Sequence, residues 1–281
     1  MQHPSDFRPG LFNGNVMLVT GGGSGIGRAT ARELAALGAK VVIAGRKPEK
    51  LEAVAAERRA ADGLVDTLVC DIREEDQVKA TLAELLGRHR RLDGVVNNAG
   101  GQFPSQLEKL SKNAWEAVIR NNLTGTFLVA REAVNQYFAE HGGRIVNVLA
   151  DFRNGMPGMG HSGAARAGVD NFTKTASIEW ARFGVRINSV APGIVDSSGL
   201  DNYDPAFAAK IRSSQGKIPL KRFATESEVA ATIIFLLTPA AGYITGALIP
   251  IDGGLSLRGH MSELSDYPPV EAFNAPDPRG P

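Results

Sequence analysis

Three polar side chains of different chemistry are spaced four residues apart in the segment HSGAARAGVDNFTK, residues 161–174. Ser162, Arg166 and Asp170 would share one face of a helix, because positions i, i+4 and i+8 lie above one another. They offer a hydroxyl, a fixed positive charge and a carboxylate, so we regard all three as candidate catalytic residues. The same spacing also allows a structural ion pair between Arg166 and Asp170. His161 is either a further donor to a substrate oxygen or a structural histidine.

A second stretch, VMLVTGGGSGIG at residues 16–27, has the composition of a phosphate-binding turn. An apolar strand leads into glycines that allow close approach of the backbone, and a helix follows whose N-terminal amides favour an anion. A tight turn that binds nothing is the alternative interpretation. The predicted phosphate-binding residues are Gly21, Ser24, Gly25, Ile26 and Gly27.

These residues must be positioned by alternating strands and helices. Apolar runs predict strands at residues 16–20, 40–44, 64–70, 92–97, 143–149, 185–190 and 247–251. Helical spacing follows from residue 28 and at residues 48–61, 74–89, 112–140, 161–182 and 225–237, the last with a capping box from Thr225 to Glu228. Continuously apolar strands that alternate with helices predict a doubly wound, seven-stranded parallel sheet covered on both faces. Residues 192–219 are predicted to be an irregular linker.

Composition narrows the class of protein. With 281 residues, one large α/β domain is favoured over two small ones. The net charge of +1 and the lack of a basic block give no indication of nucleic-acid or membrane-surface binding. The single cysteine, Cys70, excludes an intrachain disulfide and is expected to be buried. No signal peptide or membrane span is indicated, so we expect a cytoplasmic protein. We also expect no metal site.

Strand ends carry the remaining cofactor residues. The second strand of a dinucleotide fold ends beside the adenosine ribose, where an acid favours NAD and a basic group favours NADP. Arg46 and Lys47 stand there without an acid, which predicts NADP(H) over NAD(H), although a solvated basic turn is a simpler explanation. Asp71 and Ile72 end the third strand near the expected adenine. Asn98, Ala99 and Gly100 follow the fourth strand beside the expected ribose.

Five motifs, in order, resemble those of the short-chain dehydrogenases/reductases. They are TGGGSGIG at 20–27, NNAG at 97–100, NNLTGTF at 121–127, APG at 191–193 and IDGG at 251–254. The resemblance covers residues 15–257 and implies a single-domain Rossmann fold, a nicotinamide dinucleotide and a homotetramer or homodimer. It leaves residues 1–14 as an N-terminal arm, 194–220 as a substrate lid and 258–281 as a tail. It also implies cofactor contacts from Pro192, Gly193 and Ser197, and from Arg166 on the ribose.

The family's catalytic positions are only partly kept. The family asparagine aligns with Asn122, whereas the tyrosine position holds Ser162 and the lysine position holds Arg166. The string HSGAARAGV resembles the peroxisomal trans-2-enoyl-CoA reductase branch, in which a tyrosine stands at the position of Asp170. Neither serine nor arginine can replace the acid–base chemistry of a phenol and a lysine.

Three functions are compatible with this pattern. The first is NADPH-dependent reduction of the C=C bond of a trans-2-enoyl-CoA or similar activated alkene, since an enolate needs oriented donors more than an immediate strong acid. The second is an NAD(P)-dependent alcohol or aldehyde dehydrogenase acting on branched or terpenoid carbon chains. The third is a cofactor-binding protein without catalysis. We expect the first.

Overall fold

The computed structural model describes residues 6–59, 63–197, 199–200, 203–257 and 264–273, with the side chains of 58 and 59 left out. The N-terminal residues 1–5, the end of the predicted helix at 60–61 and most of the predicted tail (258–263 and 274–281) therefore lie outside the described residues. Phe12 of the predicted arm is buried, and its amide donates to the carbonyl of Leu37 at 2.9 Å. The described part of the arm thus packs on the domain.

A parallel sheet of seven strands forms the centre, in the order β3-β2-β1-β4-β5-β6-β9. Its strands are β1 Val16–Thr20, β2 Lys40–Gly45, β3 Val65–Val69, β4 Gly94–Asn97, β5 Gly143–Val148, β6 Val185–Pro192 and β9 Leu248–Ile251. The strand order reverses between β1 and β4, which places a crevice at their carboxyl ends. The single-domain Rossmann fold with a doubly wound, seven-stranded parallel sheet is confirmed.

Helices cover both faces of this sheet. They are α1 Gly25–Ala36, α2 Pro48–Arg59, α3 Glu75–His89, α4 Lys112–Ile119, α5 Gly125–Ala133, α6 Ala139–His141, α7 Gly160–Glu179, α8 Pro205–Arg212 and α9 Glu226–Leu237. Two π-helical turns, Arg120–Thr124 and Val134–Phe138, join α4, α5 and α6 into the single long helix that the sequence predicts. One apolar core lies between the sheet and α1 and α9, and a second lies between the sheet and α3 and α5.

The segment after β6 differs from the sequence prediction. Instead of an irregular linker, it contains α8 and a two-residue parallel pairing of β7 (Val195–Asp196) with β8 (Ala224–Thr225). Asp204 caps α8 through the amides of Ala206 and Phe207, and Pro205 occupies the first helical turn. A proline there stabilises a helix start, because its missing amide hydrogen would have no partner in any case.

Candidate active site and cofactor cleft

The glycine turn after β1 leaves room for a ligand only because side chains are absent. Gly21 (φ +67°) and Gly25 (φ +58°) have backbone conformations that favour glycine. A Cβ on Gly27 would lie 2.5 Å from the carbonyl oxygen of Gly21, whereas a Cβ on Gly25 would meet only open space and Glu226 at 3.8 Å. Ser24, the N-cap of α1, makes no side-chain cap. The first amides of α1 therefore have no side-chain cap, and amides at a helix start can bind an anion such as a pyrophosphate.

The ends of β1 and β4 are bonded to each other at this crevice. Thr20 Oγ1 accepts from the amides of Asn98 and Ala99, both at 3.1 Å. Asn98 Nδ2 returns bonds to the carbonyls of Thr20 and Gly21 at 3.1 and 3.2 Å. This network fixes the glycine turn against the loop that follows β4, so the predicted phosphate and ribose residues form one surface.

The predicted adenosine residues lie at the adjacent strand ends. Arg46 and Lys47 are exposed directly after β2. Asp71, which follows β3, is paired with Arg73. Hydrogen bonds from Arg73 lower the pKa of Asp71, and the charge of Arg46 acts in the same direction. Ile72 is buried, with its side chain against Gly125 at the start of α5.

Asn122 holds the loop that leads into the site. It is fully buried in the first π-helical turn. Its Nδ2 donates to the carbonyl of Gly101 at 2.7 Å, and its Oδ1 accepts from the amide of Gly101 at 3.1 Å. The structure therefore gives this side chain a positioning contact with the Gly100–Gly101 backbone.

The start of α7 places Ser162 and His161 inside the protein, both fully buried. Ser162 Oγ donates to Gln102 Oε1 at 2.6 Å. His161 Nδ1 accepts from the amide of Ser162 at 2.8 Å, and its ring contacts Phe103 edge-on at 4.6 Å between centroids. Within the described chain, His161 Nε2 is buried without a hydrogen-bond partner. Since Nδ1 is an acceptor, Nε2 is the ring nitrogen left to donate a hydrogen bond.

One turn further along α7, Arg166 reaches toward the cofactor cleft. Its Nη1 donates to the carbonyl of Val148 at 2.9 Å, and a Cβ on Gly100 would lie 3.2 Å from its Nη2. Nε is buried without a partner among the described residues. Burial lowers the pKa of Arg166 to about 10, and the nearby Tyr203 phenol opposes that shift. Arg166 is therefore a cation at neutral pH, with a donor left to bind a ligand.

Asp170 does not pair with Arg166, so the interpretation of these two residues as a structural ion pair is wrong. Asp170 Oδ2 instead accepts from Lys174 Nζ at 2.7 Å. The other carboxylate oxygen, Oδ1, is buried and has no partner in the described part of the chain. Ser162, Arg166 and Asp170 all lie on α7 at four-residue spacing, but each forms its hydrogen bonds with a different residue.

The segment after β6 forms the far wall. A Cβ on Gly193 would lie 2.9 Å from Cα of Asp252, so the turn after Pro192 fits closely against the strand end of β9. Ser197 Oγ accepts from the amide of Gly199 at 3.3 Å. Sequence reasoning missed two residues here: Gln102, which bonds Ser162, and Tyr203, whose hydroxyl lies 3.2 Å from Gln102 Nε2. No local pattern marks either residue.

Other kinds of site find no support in the described ranges. No group of three histidine, cysteine or acidic side chains there could hold a metal ion. Each of the helices described is too short or too polar to cross a bilayer. Cys70 is buried as expected, and its burial raises the pKa of the thiol.

The chain is similar to several reductases and dehydrogenases of known sequence or structure. A family model described as "Enoyl-(Acyl carrier protein) reductase" matches residues 21–256. A probable 2,4-dienoyl-CoA reductase of Bacillus subtilis is 37% identical, over 85% of this chain and 95% of that protein. A 3-oxoacyl-[acyl-carrier-protein] reductase of Thermotoga maritima is 37% identical, over 87% of this chain and 98% of that protein. A solved structure of a citronellol catabolism dehydrogenase from Pseudomonas aeruginosa is 53% identical, covers 90% of this chain and 99% of that one, and has a TM-score of 0.81.

Proposed function

Because the chain belongs to the short-chain dehydrogenase/reductase family and is therefore an NAD(P)-dependent oxidoreductase, we propose that it uses NADPH to reduce the C=C bond of a trans-2-enoyl-CoA. The observation that supports this proposal is the set of side chains that α7 presents at the family's catalytic positions. Ser162 and Arg166 stand where carbonyl reducers of the family have a tyrosine and a lysine, and α7 contains no tyrosine. The relatives that are dienoyl-CoA reductases also support an activated alkene as substrate.

The cleft has the residues that NADPH would need. The amides of Gly25, Ile26 and Gly27 would bind the pyrophosphate, and Arg46 with Lys47 would bind the 2′-phosphate. Asp71, Ile72, Asn98, Ala99 and Gly100 would line the adenosine and ribose, and Pro192, Gly193 and Ser197 would close the nicotinamide end. When bound, NADPH supplies the hydride that adds to Cβ of the enoyl thioester.

The chain's own residues would then stabilise the enolate. Arg166 holds a permanent charge beside Gly100, where it can bind ribose hydroxyls and lower the energy of nearby negative charge. The Ser162 hydroxyl can rotate from Gln102 to donate to the thioester oxygen. Asn122 fixes the Gly101 backbone that borders this space. Asp170, one turn further along α7, would not stabilise the enolate, because its carboxylate is negative and is paired with Lys174.

The test is NADPH oxidation with trans-2-enoyl-CoAs of short, medium and long chain. We expect turnover with at least one of them, and slower turnover with NADH. Ser162→Ala and Arg166→Met should each lower kcat/KM by roughly tenfold to a thousandfold. Failure of the wild type with every chain length would overturn the proposal.

The second candidate is an alcohol or aldehyde dehydrogenase. It is favoured by the 53% identity to a protein described as a citronellol catabolism dehydrogenase. Oxidation of an alcohol requires a base for the hydroxyl proton, and α7 has no phenol to supply one. Citronellol with NAD⁺ or NADP⁺ tests this directly, and robust reduction of either coenzyme would favour it over the first proposal.

We also propose a homotetramer or homodimer built on the long helices. Trp115, Phe127 and Ile178, on α4, α5 and α7, are exposed large apolar side chains. Phe127 contacts Phe172 edge-on at 5.8 Å, so aromatic side chains of α5 and α7 meet between these two helices. Sedimentation of the purified protein tests this proposal, and an Ile178→Glu variant should shift it toward the monomer.

A further inference from the structure

The proposed reduction leaves one requirement unmet on α7. After hydride adds to Cβ, the enolate must receive a proton at Cα. Ser162 is too weak an acid, and Arg166 does not act as a proton donor. Asp170 Oδ2 is held by Lys174, whose side chain is on the exposed side of α7. The proton would therefore come from water or from another element that faces Ser162 and Arg166.

Tyr203 meets this requirement from the opposite wall. It lies just before α8, in the segment predicted to be the lid, and its side chain is partly buried. Its hydroxyl oxygen lies 3.2 Å from Gln102 Nε2, and Gln102 Oε1 lies 2.6 Å from Ser162 Oγ. One glutamine carboxamide thus links the phenol to the position at which other family members carry their tyrosine.

The direction of these hydrogen bonds leaves the phenolic proton available. Gln102 Nε2 is a donor, so Tyr203 Oη is the acceptor in this pair. Among the described residues, Tyr203 Oη makes no other hydrogen bond. Its O–H can therefore point into the space between Gln102 and the lid, where an acyl chain would enter.

Two further contacts hold Tyr203 in place. The ring packs edge-on against Phe207 of α8 at 5.3 Å between centroids, and the Tyr203 amide donates to the carbonyl of Leu200 at 3.3 Å. The phenol also lies close enough to the buried Arg166 guanidinium to oppose the lowering of the Arg166 pKa by burial.

We propose that Tyr203 is the general acid of this site, with Gln102 as its positioning residue. The inference rests on the proposed enoyl-CoA reduction. NADPH, when bound, would supply the hydride for the new C–H bond at Cβ and leave as NADP⁺, while the π electrons of the C=C bond would move onto Cα and the thioester oxygen. The Tyr203 O–H bond would break, its proton would bond to Cα, and the phenolate would take a proton from water.

The experiment compares Tyr203→Phe with a matched control, Tyr243→Phe, which removes the hydroxyl of a fully exposed tyrosine. Tyr203→Phe keeps the ring against Phe207 and should lower kcat by about 100-fold or more, the usual contribution of a general acid. Tyr243→Phe should match the wild type. Binding of NADPH and of a saturated acyl-CoA, measured by calorimetry, should stay within about twofold in both variants.

Product stereochemistry supplies a second readout that a structural role would not change. In D₂O a fixed donor delivers deuterium to one face of Cα, so the wild type should give one configuration there. Tyr203→Phe should give both, because the deuteron then arrives from solvent. Gln102→Ala should lower kcat less than Tyr203→Phe does and partly lose this selectivity.

The outcomes separate this inference from the function on which it depends. If the wild type reduces no enoyl-CoA, both are overturned. If the wild type is active and Tyr203→Phe equals Tyr243→Phe, the general acid is overturned and enoyl-CoA reduction stands. If acyl-CoA binding falls as much as kcat and the product keeps one configuration, Tyr203 only anchors the lid.

Discussion

Asp170 and Lys174 form an ion pair along α7, with Asp170 Oδ2 2.7 Å from Lys174 Nζ. Arg166, the other cation four residues from Asp170, instead donates to the carbonyl of Val148. The pair divides the polar residues of α7 into two groups. Arg166 is buried beside Gly100 and Val148, whereas Lys174, whose side chain is 57% exposed, compensates the carboxylate from the solvent side.

The first prediction concerns this pair. Asp170→Asn should lower kcat by less than about tenfold, because it removes a charge near the site without removing the proton donor. Lys174→Met, the matched control, should leave the pH profile of kcat unmoved. If Asp170 were the acid, removing the lysine charge would displace that profile. A hundredfold loss in Asp170→Asn with a displaced profile in Lys174→Met would transfer the acid role to Asp170.

The sheet and its helices follow from signals that are local in sequence. Continuous apolar runs predict buried parallel strands, and the capping box from Thr225 to Glu228 predicts the start of α9, which the structure reproduces. The helix α8 also had such a signal in the pair Asp204–Pro205, an N-cap residue followed by proline at the first position. The polar composition of the surrounding segment hid it.

The interior of the site depends on contacts that no local pattern encodes. Gln102 and Tyr203 are 101 positions apart, and Ser162 and Gln102 are 60 positions apart. Spacing also could not choose between Arg166 and Lys174 as the partner of Asp170, because both are four residues away. The choice depends on the burial of each side chain, which is determined only when α7 packs beside β6.

The second prediction concerns coenzyme preference. Arg46 is exposed after β2 and close enough to Asp71 to help lower its pKa. Arg46→Ala should raise the KM for NADPH about tenfold to a hundredfold, because a charged hydrogen bond to the 2′-phosphate is lost. The KM for NADH should change little. Lys40→Ala, at the exposed start of β2, is the control for a general loss of positive charge. Equal effects on both coenzymes would contradict a 2′-phosphate site.

The third prediction compares two glycines. A Cβ on Gly27 would lie 2.5 Å from the Gly21 carbonyl oxygen and also overlap the Asn98 amide, whereas a Cβ on Gly87 meets nothing within 4 Å. Gly27→Ala should lower the free energy of unfolding by about 1–3 kcal/mol and abolish coenzyme binding. Gly87→Ala, on the exposed side of α3, should raise it by roughly 0.5–1 kcal/mol. Urea denaturation and coenzyme fluorescence measure the two effects, and normal binding by Gly27→Ala would argue against close approach of the phosphate.

The fourth prediction concerns residues 264–273, whose Val270 amide donates to the carbonyl of Leu220 at the end of the segment predicted to be the lid. Arg222 donates to both carboxylate oxygens of Glu228 at 2.8 and 2.6 Å and to the carbonyls of Val270 and Glu271. Both side chains of the ion pair are mostly buried. Arg222→Met should lower the free energy of unfolding by roughly 3 kcal/mol, because it leaves a buried carboxylate unpaired. It should also release residues 264–273, which limited proteolysis would detect.

The lowered pKa of Glu228 determines how the stabilisation by this ion pair changes with pH. Burial would raise the pKa of Glu228, but the hydrogen bonds from Arg222 and the Thr225 amide outweigh it and leave the pKa below the usual 4.5. A carboxyl with a lowered folded-state pKa stabilises the protein above 4.5 and loses that contribution as the pH falls through the folded-state value. The difference in unfolding free energy between the wild type and Arg222→Met should therefore be full at pH 7 and shrink below pH 4.5. A difference that stays constant down to acid unfolding would show that Arg222 stabilises the protein only through its contacts with the Val270 and Glu271 carbonyls.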